Sequence, residues 1–266
     1  MLFWGKPKPP LDVDEWEWQL AAFAWLDREF GDQPLASSRI LARPDGDEFP
    51  DTDAKGHALA QELLDQVKEI AGMSDWATEL VQLRRPPSTY TVNSVAAVNS
   101  GPGAAGTFRL GRTREGLPIA EISYSAEDLR NLSALVGTLA HELAHYLIHS
   151  SSSQGPGGEE CEELLTDLTA IWLGFGIFLR NHARYSGHIA DDRGQWYVSG
   201  SRGYLSERAR MSALAINEAL LGRDALVAQP YLKSYLADDL NRAWKYIATR
   251  DLRADIAAID LADYGC

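Results

Sequence analysis

Apolar residues recur every three or four positions over several long stretches of the chain, and this spacing predicts amphipathic helices. The clearest example is residues 126–149, where the apolar positions would bury one side of a helix. Ser125, with Asp128 three positions later, is the predicted N-cap of this helix. The same periodicity predicts further helices at residues 13–30, 54–71, 159–179, 206–221, 231–249 and 252–262.

Shorter apolar stretches between these helices predict strands. They lie at residues 39–42, 79–83, 107–110 and 118–124. A turn at residues 113–116 would join the last two as a hairpin, and residues 85–106, rich in Pro, Ser, Asn and Gly, are interpreted as a long connection. The predicted fold is therefore α+β and mainly helical, with a small antiparallel sheet beside the helix at 126–149.

The same pattern predicts how the chain is divided. Residues 1–75 form an N-terminal helical region, and residues 76–266 form the core together with the C-terminal helices. No linker-like segment precedes residue 75, so we expect the N-terminal region to pack on the core as part of one integrated domain.

Charge and cysteine content narrow the classes of partner. Acidic residues outnumber basic ones by 38 to 25, and a net charge of −13 repels the phosphate backbone of nucleic acids. Two cysteines indicate no disulfide framework, and the N-terminus lacks the pattern of a signal peptide. The most apolar stretch, residues 168–179, is too short to span a bilayer. These features predict a cytoplasmic protein with no nucleic-acid or membrane partner.

The sequence H-E-L-A-H, residues 141–145, lies inside the predicted helix at 126–149. Residues four apart share one face of a helix, so His141 and His145 can hold one zinc ion together. Glu142 lies beside the first ligand, where it can take a proton from the attacking water. The motif therefore predicts a zinc-dependent hydrolase.

A catalytic zinc ion takes a third protein ligand, and the acidic segment at residues 159–167 offers candidates. A loop of Ser and Gly residues, flexible by composition, separates this segment from the first helix. If the two helices pack antiparallel, Glu163 lies at the height of His145 and is the predicted third ligand. Asp167, one turn deeper, then lies opposite His141 and is the predicted acceptor for its ring N–H.

Other acidic residues and one histidine near the motif could in principle bind the metal. Glu159, Glu160 and Glu162 remain alternative third ligands, and are otherwise solvated acids that a helix N-terminus favours. His149 lies about 12 Å from His141 along the helix axis, so it is interpreted as a structural residue and not as a ligand.

The pair H-E-L-A-H and E-L-L-T-D, within residues 118–175, resembles the gluzincins, the thermolysin-like metallopeptidases in which an ExxxD helix follows the HExxH helix. The continuation H-Y-L-I-H is similar to the HExxHxxLH form of bacterial repressor-cleaving metallopeptidases. The resemblance implies a zincin-like fold, a zinc cofactor, Glu142 as general base, and a protein or peptide substrate. The zinc ligands that it implies are His141, His145 and Glu163, with Asp167 supporting a ligand histidine.

The resemblance also implies an electrophile outside the motif that stabilises the oxyanion of the reaction. The candidates are His182, Tyr185, His188, Tyr197 and Tyr204. We favour His188 and Tyr204, because each lies in a glycine-bearing segment beyond the second helix. The strand at residues 119–124 is expected beside the cleft, where a sheet edge would bind an extended peptide by strand addition.

Three functions compete for this sequence. The first is a zinc-dependent peptidase that cleaves a regulatory protein. The second is a non-catalytic, zinc-stabilised regulatory or partner-binding protein, against which the intact Glu142 counts, because a structural site needs no base. The third is a helical protein with a coincidental motif and no zinc.

Overall fold

The structure is a computed structural model, and it describes residues 7–37, 39–50, 52–83, 106–112, 118–179, 189–191, 194–196 and 204–266. The helices of these residues are α1 (Val13–Phe30), α2 (Pro34–Ser37), α3 (His57–Ile70), α4 (Leu132–His149), α5 (Glu162–Ala170), α6 (Glu207–Leu220), α7 (Ser234–Ile247) and α8 (Leu252–Ala257). The strands are β1 (Thr78–Leu83), β2 (Gly106–Arg112), β3 (Pro118–Ser125), β4 (Ile189–Asp191) and β5 (Gly194–Trp196). The mainly helical α+β class that the hydrophobic pattern predicts is confirmed.

The predicted turn at residues 113–116 lies outside the described residues, as does all of the predicted connection at residues 85–106 except Gly106, which begins β2. Crossing a bilayer would require a longer and more apolar helix than any that the described residues form.

The N-terminal helices pack on the rest of the chain. Helix α1 begins at the N-cap Asp12, whose side chain accepts a hydrogen bond from the backbone N–H of Glu15 at 2.8 Å. Its buried face contacts α5 and α8, and α3 contacts α4. One hydrophobic core accordingly includes residues from Leu11 to Leu252. The division of the chain near residue 75 stays a prediction.

The three-stranded sheet is mixed, with the strand order β1-β3-β2. Strand β3 pairs antiparallel with β2, as the predicted hairpin requires, but it pairs parallel with β1, where Leu80 lies opposite Ile122. The prediction of an antiparallel sheet is therefore wrong for β1, because β3 inserts between the other two strands. Since both sides of β3 are paired, residues 119–124 are not the sheet edge that the sequence analysis expected.

Helix α4 begins later than predicted. A 3-10 turn (Asp128–Arg130) precedes it, and its N-cap is Asn131, whose side chain accepts from the backbone N–H of Ala134 at 3.2 Å. Ser125 is not the N-cap, since its backbone N–H donates to Oδ2 of Asp128 at 2.9 Å. These two polar residues close a turn ahead of the helix, a local alternative that such side chains commonly offer the backbone.

The helix predicted at residues 159–179 is interrupted after α5. A π-helical segment (Ile171–Phe175) follows, and Gly174 within it has a φ of +107°, which a residue with a side chain rarely adopts. A Cβ atom at this position would overlap the carbonyl oxygen of Ile40. The backbone N–H of Ala42 donates to the carbonyl oxygen of Gly174 at 3.0 Å. Residues 39–42 are therefore an irregular segment held against this helix, and the predicted strand there is wrong.

The loop between α4 and α5 is fastened to α1. Glu29 accepts hydrogen bonds from the backbone N–H of Ser152 at 2.9 Å, from its hydroxyl at 2.8 Å, and from the hydroxyl of Ser153 at 2.7 Å. Burial raises the pKa of Glu29, but these hydrogen bonds outweigh burial and hold the pKa below its ordinary value. The loop that composition predicts to be flexible is therefore anchored at two consecutive residues.

Candidate metal centre

Helix α4 presents His141 and His145 on one face, one turn apart, as their spacing dictates. The centroids of the two rings are 4.9 Å apart, and only 3% of His141 and 8% of His145 is exposed. Leu139 and Leu143 of the same helix are fully buried in the hydrophobic core. Their burial fixes the rotation of α4, and with it the direction of the two imidazoles.

Glu163, in the first turn of α5, brings one carboxylate oxygen to both imidazoles. Its Oε2 lies 3.2 Å from Nε2 of His141 and 3.6 Å from Nε2 of His145. The potential ligand atoms of these three residues all lie within 4.8 Å of one another. The structure thus brings together the three residues that the sequence analysis selects as metal ligands.

The second nitrogen of His141 is held from the opposite side. Nδ1 of His141 lies 3.1 Å from Oδ1 of Asp167, a fully buried residue. Oδ2 of Asp167 accepts the backbone N–H of Leu205 at 3.1 Å, so the carboxylate is fixed from two elements. An acceptor at Nδ1 places the ring proton there and leaves the lone pair of Nε2 available to a cation.

The second nitrogen of His145 is held by a hydroxyl group that the sequence analysis missed. Oγ1 of Thr166 lies 3.2 Å from Nδ1 of His145, and the same hydroxyl donates to the backbone carbonyl of Glu162 at 2.8 Å. Because its proton is used in that bond, Thr166 can only accept from Nδ1, so the ring proton of His145 lies on Nδ1 and the lone pair on Nε2. The sequence signal was available, since Thr166 lies next to Asp167 and three positions after Glu163.

The charges of this cluster are strongly coupled. Burial lowers the pKa of His141, but hydrogen bonds to Asp167 and Glu163 outweigh burial and raise the pKa to about 10. Burial raises the pKa of Glu163, yet hydrogen bonds with the two imidazoles hold that pKa well below its ordinary value. A cation that binds here must therefore displace protons from the imidazoles, so its affinity falls as the pH falls.

Glu142 lies beside the cluster without joining it. Only 5% of the residue is exposed, and within the described residues its carboxylate makes no hydrogen bond and no ion pair. Burial raises the pKa of Glu142 above its ordinary value, against the opposing effect of the imidazoles of His141 and His145. The carboxylate therefore lies within electrostatic reach of both imidazoles, although it accepts no hydrogen bond among the described residues.

Tyr204 is the candidate for oxyanion stabilisation that falls within the described residues. Its ring centroid lies 5.6 Å from that of His141, and 40% of the residue is exposed. Partial burial, followed by the nearby carboxylate of Glu163, raises the pKa of Tyr204, so its hydroxyl stays protonated and able to donate at neutral pH. The other candidates lie outside the described residues: His182, Tyr185, His188 and Tyr197.

Glu162 lies on the outer side of His145. Its Oε1 is 3.5 Å from Nδ1 of His145 and 3.8 Å from Nε2 of His149, and these three residues form a second group of potential ligands. Glu159 and Glu160 lie in the 3-10 turn before α5 and belong to no such group among the described residues. Glu163 is therefore the acid that faces the Nε2 atoms of both ligand histidines.

The donor set suits a zinc ion. Two imidazole nitrogens and one carboxylate oxygen are a common ligand set of catalytic zinc, which keeps a fourth position open for water or substrate. His141, His145 and Glu163 would hold the ion, with Asp167 and Thr166 setting the tautomers of the two rings. Nitrogen and oxygen donors of this kind also bind other divalent transition metals, so the geometry defines a divalent metal site without selecting one metal.

Comparison with protein-family models gives no match, and comparison with curated proteins and with solved structures gives none either. The function is therefore inferred from the residues of the site itself.

Proposed function

We propose that this protein is a zinc-dependent peptidase in which Glu142 acts as the general base. The observation that carries the proposal is the state of Glu142, a buried carboxylate with no hydrogen bond or ion pair among the described residues, next to a set of three potential metal ligands. A structural zinc site has no use for such a group, whereas metal-assisted hydrolysis requires one.

The residues of the site divide the chemistry among them. The bound cation would supply Lewis acidity, which makes water more acidic and polarises a carbonyl group. Glu142 would take a proton from the attacking water and return it to the leaving amine. Its raised pKa favours the first step, because a carboxylate that binds a proton more tightly is a stronger base. Tyr204 would donate a hydrogen bond to the developing oxyanion.

A peptide substrate is favoured by the sheet beside the site. Strands β2 and β3 both contact α4, and β2 lies at one edge of the three-stranded sheet. An edge strand offers backbone donors and acceptors to an extended peptide, and it would present that peptide alongside the HExxH helix. The edge proposed here is β2, in place of the strand at 119–124. The two free cysteines, Cys161 and Cys266, support a reducing compartment such as the cytoplasm.

The test compares the wild-type protein with Glu142→Gln, a change that keeps the shape of the side chain and removes the base. We expect turnover to fall by at least about 100-fold, while zinc content and zinc affinity stay near those of the wild type. Glu160→Gln is the matched control, since it removes an exposed acid from the turn before α5. Protein N-termini sequenced from cells carrying each variant would reveal the substrate as a cleavage product absent only with Glu142→Gln.

A second candidate function, a non-catalytic zinc-stabilised protein, is favoured by the low exposure of the ligand histidines and of Glu142. Closed sites of this kind are typical of structural zinc. It predicts bound zinc and a loss of stability on chelation, but no cleavage product that depends on Glu142. Wild-type protein that contains no zinc and is unaffected by a chelator would eliminate both candidates.

A further inference from the structure

A cavity of about 370 Å³, whose lining includes none of the proposed metal ligands, lies between α1, the end of α6, and α8. Its volume lies within the range of roughly 300–1,000 Å³ that is usual for small-molecule sites. Its lining combines apolar side chains such as Phe23 and Trp172 with three charged ones, Asp27, Arg39 and Arg253. Apolar side chains together with a few convergent charged groups are found in many ligand sites.

Arg39 is the central charged group of this cavity. Its guanidinium carbon lies 4.0 Å from the centroid of the Trp172 ring, and Trp172 is only 2% exposed. Nε of Arg39 donates to the carbonyl oxygen of Ala36 at 3.0 Å. Within the described part of the chain, its two Nη groups have neither a hydrogen bond nor an ion pair. A half-buried guanidinium thus keeps donors that are available to a ligand.

The neighbouring arginine, Arg223, differs from Arg39 in that its guanidinium group is paired with a carboxylate. Arg223 donates to both carboxylate oxygens of Glu218, at 2.7 and 2.8 Å, and to the backbone carbonyl of Arg39 at 2.8 Å. Its charge is neutralised, whereas Arg39 makes no ion pair among the described residues, and the carboxylates of Asp27 and Glu218 act on it only at longer range. Burial, and after it the proximity of Arg223, lowers the pKa of Arg39 to about 10, against the effect of Asp27. A bound anion would relieve this positive potential.

The backbone holds Arg39 in this position. Its segment is tied to the π-helical segment by the hydrogen bond from Ala42 to Gly174, where only a glycine allows the close approach of Ile40. Trp172 belongs to the same π-helical segment, so the ring and the guanidinium are positioned by one local structure. Such π-helical turns are frequent at functional sites, because they redirect side chains at a cost in helix regularity.

We propose that this cavity binds a small organic anion, a carboxylate or a phosphate monoester with an aromatic or other apolar body. The anionic group would be held by the free Nη donors of Arg39, and by Arg253 at the rim. One Nη of Arg253 donates to the backbone carbonyl of Leu220 at 2.6 Å, which directs the side chain along the cavity wall. The body of the ligand would lie on Leu220 and Ile256, the half-buried apolar residues of the lining. In a protein of net charge −13, this local positive charge would favour an anion that the overall charge repels.

The test uses fluorine NMR of three probes titrated with the zinc-loaded, full-length protein: 4-fluorobenzoate, 4-fluorophenyl phosphate and the neutral 4-fluorobenzyl alcohol. We expect saturable binding of at least one anion below about 10 mM, and clearly weaker binding of the alcohol. The preferred anion distinguishes a carboxylate ligand from a phosphate ester. Arg39→Gln should weaken binding by at least about tenfold, because it removes the positive charge and the N–H donors of the guanidinium group.

Arg208→Gln is the control, since it removes an arginine that is paired with Asp239 on the surface. This variant should bind the probes as the wild type does. Thermal unfolding checks that each variant is folded, and if Arg39→Gln is not, Arg253→Gln decides, with a smaller expected loss. The proposal is overturned if no anion binds saturably, if the alcohol binds equally well, or if a folded Arg39→Gln protein retains full affinity. Anion binding that persists in that variant and disappears on removal of zinc would belong to the metal centre.

Discussion

The hydroxyl of Thr166 lies 3.2 Å from Nδ1 of His145 and has already given its proton to a backbone carbonyl. Thr166 is therefore an acceptor with a fixed direction, and it does for His145 what Asp167 does for His141. Nδ1 of His145 faces this neutral hydroxyl at 3.2 Å and the carboxylate of Glu162 at 3.5 Å, whereas Nδ1 of His141 faces the carboxylate of Asp167 at 3.1 Å. The two proposed ligand histidines are therefore oriented by different groups, although they belong to one helical motif.

Thr166→Val should reduce zinc affinity by about 10- to 100-fold, because the isosteric side chain no longer accepts the Nδ1 proton of His145. Competition with a fluorescent zinc chelator measures the change. Thr169→Val is a matched control on the same helix, since the Thr169 hydroxyl is buried and has no hydrogen-bond partner within the described residues. Equal zinc affinity in both variants would contradict a supporting role for Thr166, whereas Thr166→Ser should keep most of the affinity.

Tyr204→Phe should lower kcat of the proposed peptidase by about 100-fold and leave KM nearly unchanged, because the lost donor acts only on the transition state. The raised pKa of Tyr204 means that the wild-type rate should not fall through deprotonation of this phenol near neutral pH. Steady-state kinetics on a cleaved peptide measure both constants. Tyr235→Phe, which removes an exposed hydroxyl bonded to Glu207, is the control and should have no effect. A Tyr204→Phe enzyme that differs from wild type only in KM would place this residue in substrate binding.

Glu29→Gln should destabilise the protein by about 1–2 kcal/mol near neutral pH, because the amide accepts fewer of the hydrogen bonds from Ser152 and Ser153. The pKa of Glu29 is lower in the folded chain than in the unfolded chain. Its stabilising contribution is therefore complete above the unfolded value, near pH 4.5, and is lost as the pH falls through the folded value.

Urea unfolding of wild type and Glu29→Gln at neutral pH and again in acid measures this contribution. The difference between the two proteins should shrink on acidification. Glu17→Gln, a change at an exposed acid on the same helix, should give no difference at either pH. A gap between wild type and Glu29→Gln that stays constant with pH would show that the charge of Glu29 is not responsible.

Gly174→Ala should destabilise the protein by at least about 3 kcal/mol, because the new methyl group meets both an unfavourable φ and the carbonyl of Ile40. Gly222→Ala separates the two causes. Gly222 also has a positive φ, of 69°, but no atom lies within 4 Å of a Cβ atom there, so only the backbone cost of about 1 kcal/mol is expected. Denaturant unfolding measures both, and similar losses would mean that the contact with Ile40 relaxes freely.

The helices were the most predictable part of the fold. The apolar repeat of α1 predicts its bounds at 13 and 30, and these are the bounds observed. The start of α4 was not predictable from the same rule, because Ser125, Asp128 and Asn131 are all suitable N-caps. Which of them caps the helix depends on the path of the chain between β3 and α4. Local sequence preference allowed all three residues as the N-cap, and the tertiary structure selects Asn131.

Features that depend on distant partners were missed. The order of the sheet depends on which strand lies next to β1, and alternation of apolar residues does not specify a neighbour. Residues 39–42 satisfy the apolar pattern of a strand, yet their backbone partner is the carbonyl of Gly174. In the site, helix spacing predicts that His141 and His145 share one face, and antiparallel packing of the two helices was assumed in order to place Glu163 beside them. The structure brings these three residues together. The role of Thr166 was not predicted, because it depends on which acceptor receives the hydrogen bond from its hydroxyl group.

The anchoring of the α4–α5 loop by Glu29 has a consequence for the order of assembly during folding. Glu29 and Ser152 are 123 positions apart, so their contact closes a long loop, and contacts of such separation form late. A segment excised around the two ligand helices would carry every proposed zinc ligand, yet it would lack the partner that anchors the loop between those helices. We expect such a fragment to bind zinc more weakly than the whole chain. The chain would therefore reach its full zinc affinity only after α1 has packed against the loop.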